Sequence, residues 1–148
     1  MVYIASDHAG LELKQQIIEH LKGIGQEVED CGPFQYDAED DYPDFCYPCA
    51  VKTAAEPGSL GIVIGGSGNG EAIVANKAIG VRAAVYYGSR EEIVELARRH
   101  NNANVLSFGA RFVTFEEVKR ALHVFLKTPF DGGRHERRIR KVAEIERR

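Results

Sequence analysis

Short apolar runs alternate with longer segments of helical periodicity along this chain. The apolar runs are rich in Val, Ile and Ala, which is typical of strands buried on both faces of a sheet. They occupy residues 2–6, 26–32, 60–64, 81–87 and 104–109. The segments of helical periodicity occupy residues 11–25, 44–56, 71–79, 89–101, 114–128 and 132–148. Each predicted strand is therefore followed by a predicted helix.

This alternation of strand and helix predicts an α/β fold. We expect a three-layer α/β/α sandwich with a Rossmann-like, doubly wound, five-stranded parallel sheet. The 148 residues suit one domain with its own core, so residues 1–148 are expected to form a single domain. From about residue 131 the chain becomes rich in Gly and Arg. This basic C-terminal segment is expected to form a helix that reaches toward a partner subunit.

Local signals mark several helix ends. Gly25 is suited to end the first helix, and Ser89 is suited to cap the fourth. Thr114 and Glu117 have the spacing of a capping box. Pro48 is expected in the first turn of the second helix, where its missing N–H has no helical partner to lose.

Composition limits the classes of partner. Hydrophobic residues make up 44% of the chain and charged residues 28%, as in ordinary globular proteins, and the formal net charge is −3. That charge gives no reason to expect nucleic acid or a membrane as a partner. No apolar run approaches the roughly 20 residues of a membrane-spanning helix. Because the first residues have a strand pattern and no basic leader, we expect a cytoplasmic location.

The three cysteines are too few for a disulfide scaffold. Cys46 and Cys49 have the C-x-x-C spacing of redox motifs, but no strand comes directly before them. The chain contains no second Cys or His pair with zinc-site spacing. We therefore expect small buried cysteines, with a redox or metal role as the weaker alternative.

The stretch GGSGNGE, residues 65–71, lies between the third strand and the next helix. A P-loop has a lysine where Glu71 stands, and a dinucleotide fingerprint follows the first strand with another spacing, so nucleotide binding is disfavoured. The backbone N–H groups of the loop and the Ser67 hydroxyl can still bind an anion, including an oxyanion formed during a reaction. Glu71 is then either a base beside those donors or only a complement to the helix dipole. Four clustered glycines favour the close approach of a ligand.

Other polar side chains are expected near the same edge, because ligands of doubly wound sheets bind beyond the carboxyl ends of the strands. Asp7 and His8 follow the first strand, and Arg111 follows the fifth. His100 and Asn101 end the helix before the fifth strand, and we expect them to converge there too. Two alternatives stay open: Asp7 caps the next helix, or His100 only complements the dipole at its own helix end.

Arginines cluster behind the two glycines of the C-terminal segment. Arg134 and Arg138 are four residues apart and share one side of the predicted helix. Two guanidinium groups on one side can clamp a phosphate, although a run of charge is more often a solvated helix face.

Six stretches of the sequence, in order, resemble the B-type ribose-5-phosphate isomerase family, which also contains sugar-phosphate isomerases for galactose and allose. They span nearly the whole chain and read SDHAG, DCG, DYPDF, GGSGNGEAIVANK, ARRHNNANVLSFGAR and GGRHERRI. One branch of that family uses a cysteine at the head of the glycine loop as its base. Gly65 stands there in this chain, which therefore resembles the branch that uses a glutamate.

The resemblance implies an aldose–ketose isomerase that works without cofactor or metal. It would interconvert D-ribose 5-phosphate and D-ribulose 5-phosphate in the non-oxidative pentose phosphate pathway. Alternatives are the same chemistry on allose or galactose 6-phosphate, and a non-catalytic sugar-phosphate or nucleotide sensor. The resemblance also implies a homodimer, or a dimer of dimers, with active sites built from two subunits.

Carried over by position, the resemblance implies that Glu71 moves a proton between C1 and C2 through a cis-enediolate. His100, oriented by Asn101, would help to open the furanose ring, with Asp7 on the ring-oxygen side. The oxyanion would be held by Ser67 and by the loop at Gly66, Gly68, Asn69 and Gly70. The phosphate would be bound by His8, Arg111, Arg134 and Arg138, and the pocket would be lined by Tyr42.

Overall fold

The computed structural model describes all 148 residues and contains one five-stranded sheet in which every pairing is parallel. The strands are β1 (Val2–Ser6), β2 (Val28–Asp30), β3 (Leu60–Gly65), β4 (Ala83–Tyr86) and β5 (Val105–Gly109). Their order across the sheet is β2-β1-β3-β5-β4. The last strand in sequence therefore lies between the third and the fourth.

Six α-helices and one short 3₁₀ turn, His8–Gly10, complete the fold. The helices are α1 (Leu11–Gly23), α2 (Pro43–Ala55), α3 (Asn69–Ala75), α4 (Glu92–Asn101), α5 (Phe115–Lys127) and α6 (Arg134–Glu146). Helices α2 and α3 cover one face of the sheet, α1, α4 and α5 cover the other, and α6 packs on α4. The predicted three-layer α/β/α class is confirmed. None of the helices is both long and apolar enough to cross a membrane.

Alternate strand residues supply two separate cores. Val2 and Ile4 point to the side of α1, α4 and α5, whereas Tyr3 packs against α2 on the other side. This double burial explains why the strands are continuous apolar runs. Cys46 and Cys49 are fully buried in the second core, and burial raises the pKa of the Cys46 thiol far above its usual range. The expectation of small buried cysteines is thus confirmed for Cys46 and Cys49, whereas Cys31 is half-buried.

Two predicted features of helix starts, the position of Pro48 and the cap at Ser89, are wrong. Helix α2 begins at Pro43, which takes the first helical position, so Pro48 lies in the second turn rather than the first. Helix α4 begins at Glu92, and Ser89 does not cap it. Ser89 adopts a φ of 72°, and its backbone N–H donates to Oε2 of Glu117 at 2.9 Å.

The other predicted helix signals have mixed outcomes. The capping box forms, since Thr114 Oγ1 accepts from Glu117 N–H at 3.2 Å and Glu117 Oε1 accepts from Thr114 N–H at 3.0 Å. Gly25 follows α1 with a φ of 80°, as a C-terminal stop requires. Helix α3 begins earlier than predicted and stops at Ala75. The next side chain, Asn76, bonds to the backbone of β4 instead of continuing the helix.

Candidate active site

The order of the strands reverses at β1 and β3, and sheets of this kind bind ligands in the crevice beyond the carboxyl ends of the strands at that point. β1 lies between β2 and β3, so the segments after β1 and β3 leave the same edge side by side. Asp7 begins the first segment, and its Oδ1 accepts the N–H of Gly10 at 3.1 Å. Asp7 therefore caps the 3₁₀ turn His8–Gly10, whereas α1 has Gly10 as its N-cap residue and no side-chain cap. The same side chain is only 8% exposed and lies close enough to Glu71 to raise the pKa of that carboxyl.

The insertion of β5 beside β3 brings Arg111 to the crevice. The N–H of Ala110 donates to Gly65 O at 2.8 Å, and the N–H of Arg111 donates to Gly66 O at 3.1 Å. The Arg111 guanidinium folds back over the loop, where a Cβ on Gly66 would lie 3.1 Å from its Nη1. A cationic group thus stands at the head of the glycine loop.

The glycines of the loop leave room for the side chains of the site itself. A Cβ on Gly65 would overlap the carboxylate of Glu71, and a Cβ on Gly70 would lie 2.7 Å from Cζ of Tyr42. Gly68 has a φ of 83°, a conformation that favours glycine. The glycine cluster was expected to mark the approach of a ligand. In the structure it first permits the approach of Glu71, Tyr42 and Arg111.

The loop presents unused backbone donors. The N–H groups of Gly66, Ser67 and Gly68 make no hydrogen bond within the chain. Ser67 Oγ accepts the N–H of Asn69 at 3.3 Å, and Ser107 Oγ donates to Gly68 O at 2.7 Å. Those bonds hold the loop on the sheet, so its free donors are fixed before any ligand arrives.

Glu71 is a buried carboxyl in the first turn of α3, with 4% of its surface exposed. Burial raises its pKa, its own backbone N–H lowers it, and the charge of Asp7 raises it. The net direction is upward, so burial outweighs the N–H donor. A carboxylate with a raised pKa is a stronger base once ionised.

His8 carries a partner that the sequence did not reveal. Oδ1 of Asp40 lies 2.7 Å from His8 Nδ1 and also accepts the His8 backbone N–H at 3.0 Å. This contact is the largest of the effects that raise the pKa of His8. Asp40 is one of several acidic residues in its loop, and nothing in their spacing distinguishes the one that reaches His8.

Four predicted site residues lie at the opposite edge of the sheet, so the expected convergence of His100 and Asn101 with Glu71 does not occur within one chain. Helix α4 runs back toward the start of β5, and His100 and Asn101 end it. Arg134 and Arg138 lie on α6, which packs against α4. The four steps of β5 separate the two edges by about 13 Å of strand.

At that second edge the basic side chains gather around His100. Its ring stacks on His135, with centroids 4.2 Å apart and planes 10° from parallel. Asn101, expected to orient His100, makes no side-chain hydrogen bond and instead lines a groove with Ile139 of α6. Burial and the neighbouring charges of His100, Arg134 and Arg138 lower the pKa of His135.

This basic cluster is better suited to an anion than to a metal ion. Ligand atoms of His100, His135 and Asp131 lie within 4.8 Å of one another. However, parallel stacked imidazoles do not aim their lone pairs at one point, and Arg99 holds both oxygens of Asp131 at 3.2 Å. The guanidinium groups of Arg134 and Arg138, by contrast, are suited to bind phosphate.

Known proteins match this chain over nearly its full length. A family model described as Ribose/Galactose Isomerase matches residues 2–142. The chain is 52% identical over 147 residues to ribose-5-phosphate isomerase B of Mycobacterium leprae, covering 99% of this chain and 90% of that protein. It is 39% identical over 142 residues to the Escherichia coli enzyme of the same name, covering 96% and 93%.

The fold of the chain also matches that of a solved structure. It is the crystal structure of ribose-5-phosphate isomerase B from Mycoplasma genitalium with bound ribulose-5-phosphate. That chain is 48% identical and has a TM-score of 0.93, with 99% of this chain and 95% of that chain covered.

Proposed function

The chain belongs to the ribose/galactose isomerase family, and on that premise we propose that it interconverts D-ribose 5-phosphate and D-ribulose 5-phosphate. The observation that carries this proposal is a buried carboxylate, Glu71, beside the free N–H donors of residues 66–68. A base next to oxyanion donors is what proton abstraction beside a carbonyl requires. The names of the relatives and the ligand of the Mycoplasma genitalium structure support a pentose phosphate as the substrate.

The reaction moves a proton between two carbons without net oxidation. Glu71 takes the proton from C2 of the open-chain aldose, and the electron pair moves onto O1 to form a cis-enediolate. The hydroxyl of Ser67 and the N–H groups of Gly66 and Gly68 stabilise that oxygen as its charge develops. The hydroxyl proton then moves from O2 to O1, and Glu71 returns its proton to C1, which gives the ketose. These donors act mainly in the transition state, where binding energy accelerates the step.

Binding of the phosphate and opening of the furanose ring need residues other than Glu71 and the oxyanion donors. His8 and Arg111 lie at the same edge as Glu71 and bind the phosphate, and Tyr42 forms part of the pocket wall. Asp7 contacts the ring-oxygen side, and His100 donates and accepts the protons that open the furanose. Remote phosphate binding supplies energy that positions C1 and C2 against the base.

A second copy of the chain supplies His100, Asn101, Arg134 and Arg138 to this site. Within one chain about 13 Å of strand separates them from Glu71, so they reach a substrate there only from a partner. Exposed apolar side chains beside the loop support a buried contact, since Tyr87 is 58% exposed and Phe112 is 62% exposed. We therefore infer a homodimer, with a dimer of dimers as the larger assembly.

A kinetic assay tests the proposal. Purified protein is mixed with ribose 5-phosphate in the presence of a metal chelator, and ribulose 5-phosphate is followed by its absorbance. Turnover in chelator supports the reaction and its independence of metal, and a larger kcat/KM for the pentose than for allose or galactose 6-phosphate supports the substrate. Binding without turnover would favour a sensor instead. The cytoplasmic location stays a prediction.

A further inference from the structure

We propose that Asp40 is a positioning residue for substrate binding: its carboxylate holds the His8 imidazole so that Nε2–H donates to the substrate phosphate. The inference rests on the proposed function, because it names what prepares one of the phosphate-binding groups. Asp40 belongs to none of the stretches that carry the family resemblance, and its part comes from the geometry alone.

Two bonds from one oxygen fix the histidine. Oδ1 of Asp40 accepts the backbone N–H of His8 at 3.0 Å and lies 2.7 Å from its Nδ1. The first bond anchors the loop to the 3₁₀ turn after β1, and the second sets the ring orientation and puts a proton on Nδ1. Nε2 makes no hydrogen bond within the chain, and 28% of the His8 side chain is exposed. The free ring nitrogen is therefore available to a ligand as a donor.

The carboxylate of Asp40 also needs the charge of His8. Its side chain is 6% exposed, and Oδ2 is buried without any hydrogen-bond partner. A buried carboxylate with an unpartnered oxygen is costly unless a cation lies beside it. His8 is its ion-pair partner, so the pair is most stable when the imidazole is protonated at both nitrogens.

Other charged groups near His8 shift its pKa in opposite directions. The Asp7 carboxylate favours the imidazolium, and the Arg111 guanidinium disfavours it. Tyr36 contributes an edge-on aromatic contact with ring centroids 6.1 Å apart. Arg111 is needed for the same phosphate, and its charge disfavours a protonated His8 beside it. A nearby anion is therefore needed to keep the His8 imidazolium stable. Asp40 supplies that anion at Nδ1 and leaves Nε2 free for the phosphate.

The test uses Asp40→Asn, with Asp37→Asn as the matched control. Asn keeps an oxygen that can accept the His8 backbone N–H but removes the charge. Asp37 is an exposed residue of the same loop whose Oδ1 accepts the Glu39 N–H at 2.9 Å. The pKa of His8 is followed in the full-length protein by NMR of its ring nitrogens, and its signal is assigned from the spectrum of His8→Gln. Steady-state kinetics with ribose 5-phosphate are measured across the same pH range.

Asp40→Asn is expected to lower the pKa of His8. At pH values between the His8 pKa of the variant and that of the wild type, KM should rise about tenfold while kcat changes less than about twofold. Below both pKa values His8 is protonated in either protein, so the KM difference shrinks. Asp37→Asn matches the wild type in both measurements. A purely structural role of Asp40 would lower the thermal unfolding temperature without moving the pH dependence of KM.

The inference is overturned if the His8 pKa and the KM profile of Asp40→Asn coincide with those of Asp37→Asn, or if kcat falls while KM stays. Its failure is distinguishable from failure of the proposed function. If the wild type does not isomerise ribose 5-phosphate, the dissociation constant of inorganic phosphate is measured in the same NMR samples. Weaker phosphate binding by Asp40→Asn then still supports the positioning role, and unchanged binding contradicts it.

Discussion

The carboxylate of Glu71 occupies the space in which a side chain at Gly65 would begin. Gly65 ends β3, and Glu71 lies in the first turn of α3, so the strand end and the helix start close on each other across the loop. The carboxylate is buried and lies directly against the backbone of Gly65. The glycine at this position therefore determines where the Glu71 carboxylate lies and allows the burial that raises its pKa.

Gly65→Ala is expected to displace the Glu71 carboxylate and to lower kcat/KM about 100-fold, because a shift of about 1 Å at a catalytic group has that effect. Steady-state kinetics with ribose 5-phosphate measure it, and circular dichroism verifies the fold. Gly23→Ala is the control, since a Cβ there meets nothing within 4 Å and Gly23 is helical. Full activity in Gly65→Ala would mean that this carboxylate position is not needed.

Much of the fold follows from periodicity, but the order of the strands does not. The apolar runs predict five parallel strands with helices on both faces, and the structure has them. No pattern in the sequence shows that β5 inserts between β3 and β4. That insertion alone brings Arg111 over Gly66, because it puts the segments after β3 and β5 side by side.

The position of His100 at the second edge could have been predicted from the order of strands and helices in the sequence. In a parallel α/β unit the helix returns to the amino end of the next strand. The last turn of α4 therefore lies at the edge opposite to the one that holds Glu71. His100 ends such a helix and therefore does not meet Glu71 in the same chain. By contrast, the pairing of His8 with Asp40 depends on how a loop folds back over β1, and no local spacing encodes it.

Glu71→Gln is expected to reduce kcat by about 10³-fold or more while substrate still binds, because the amide cannot accept the C2 proton. Glu12→Gln, at an exposed carboxylate of α1, serves as the control and keeps full activity. Substrate binding is measured by titration calorimetry. Substantial turnover in Glu71→Gln would remove Glu71 from the role of base.

The same substitution is expected to stabilise the fold at neutral pH. The pKa of Glu71 is raised in the folded state, mainly by burial, so folding favours the protonated form and the ionised form costs stability above that pKa. Glu71→Gln removes this cost, and its thermal unfolding temperature should exceed that of the wild type at pH 8. Below the ordinary pKa of a glutamate, 4.5, the difference should vanish. A difference independent of pH would contradict the assignment.

The acid limb of kcat/KM is expected above pH 4.5, because Glu71 must be ionised to act and its pKa is raised. The Asp7 charge contributes to that shift. Asp7→Asn should therefore move the limb to lower pH, in addition to any loss of rate from ring opening. The profile is recorded in buffers of constant ionic strength, since screening weakens the effect of one charge on the other. A limb at the same pH in both proteins would mean that another group titrates.

Mixing two inactive variants tests whether the site is shared between subunits. If the site is shared as proposed, Glu71→Gln and His100→Asn each destroy every site of their own homodimers, because each site takes Glu71 from one chain and His100 from the other. In a heterodimer one site carries both changes and the other carries neither. Random exchange makes half of the dimers mixed, so activity should return to about 25% of the wild type. The measurement is turnover of ribose 5-phosphate after the variants are denatured and refolded together, with each variant refolded alone as the control. If all groups acted within one chain, co-refolding would restore nothing.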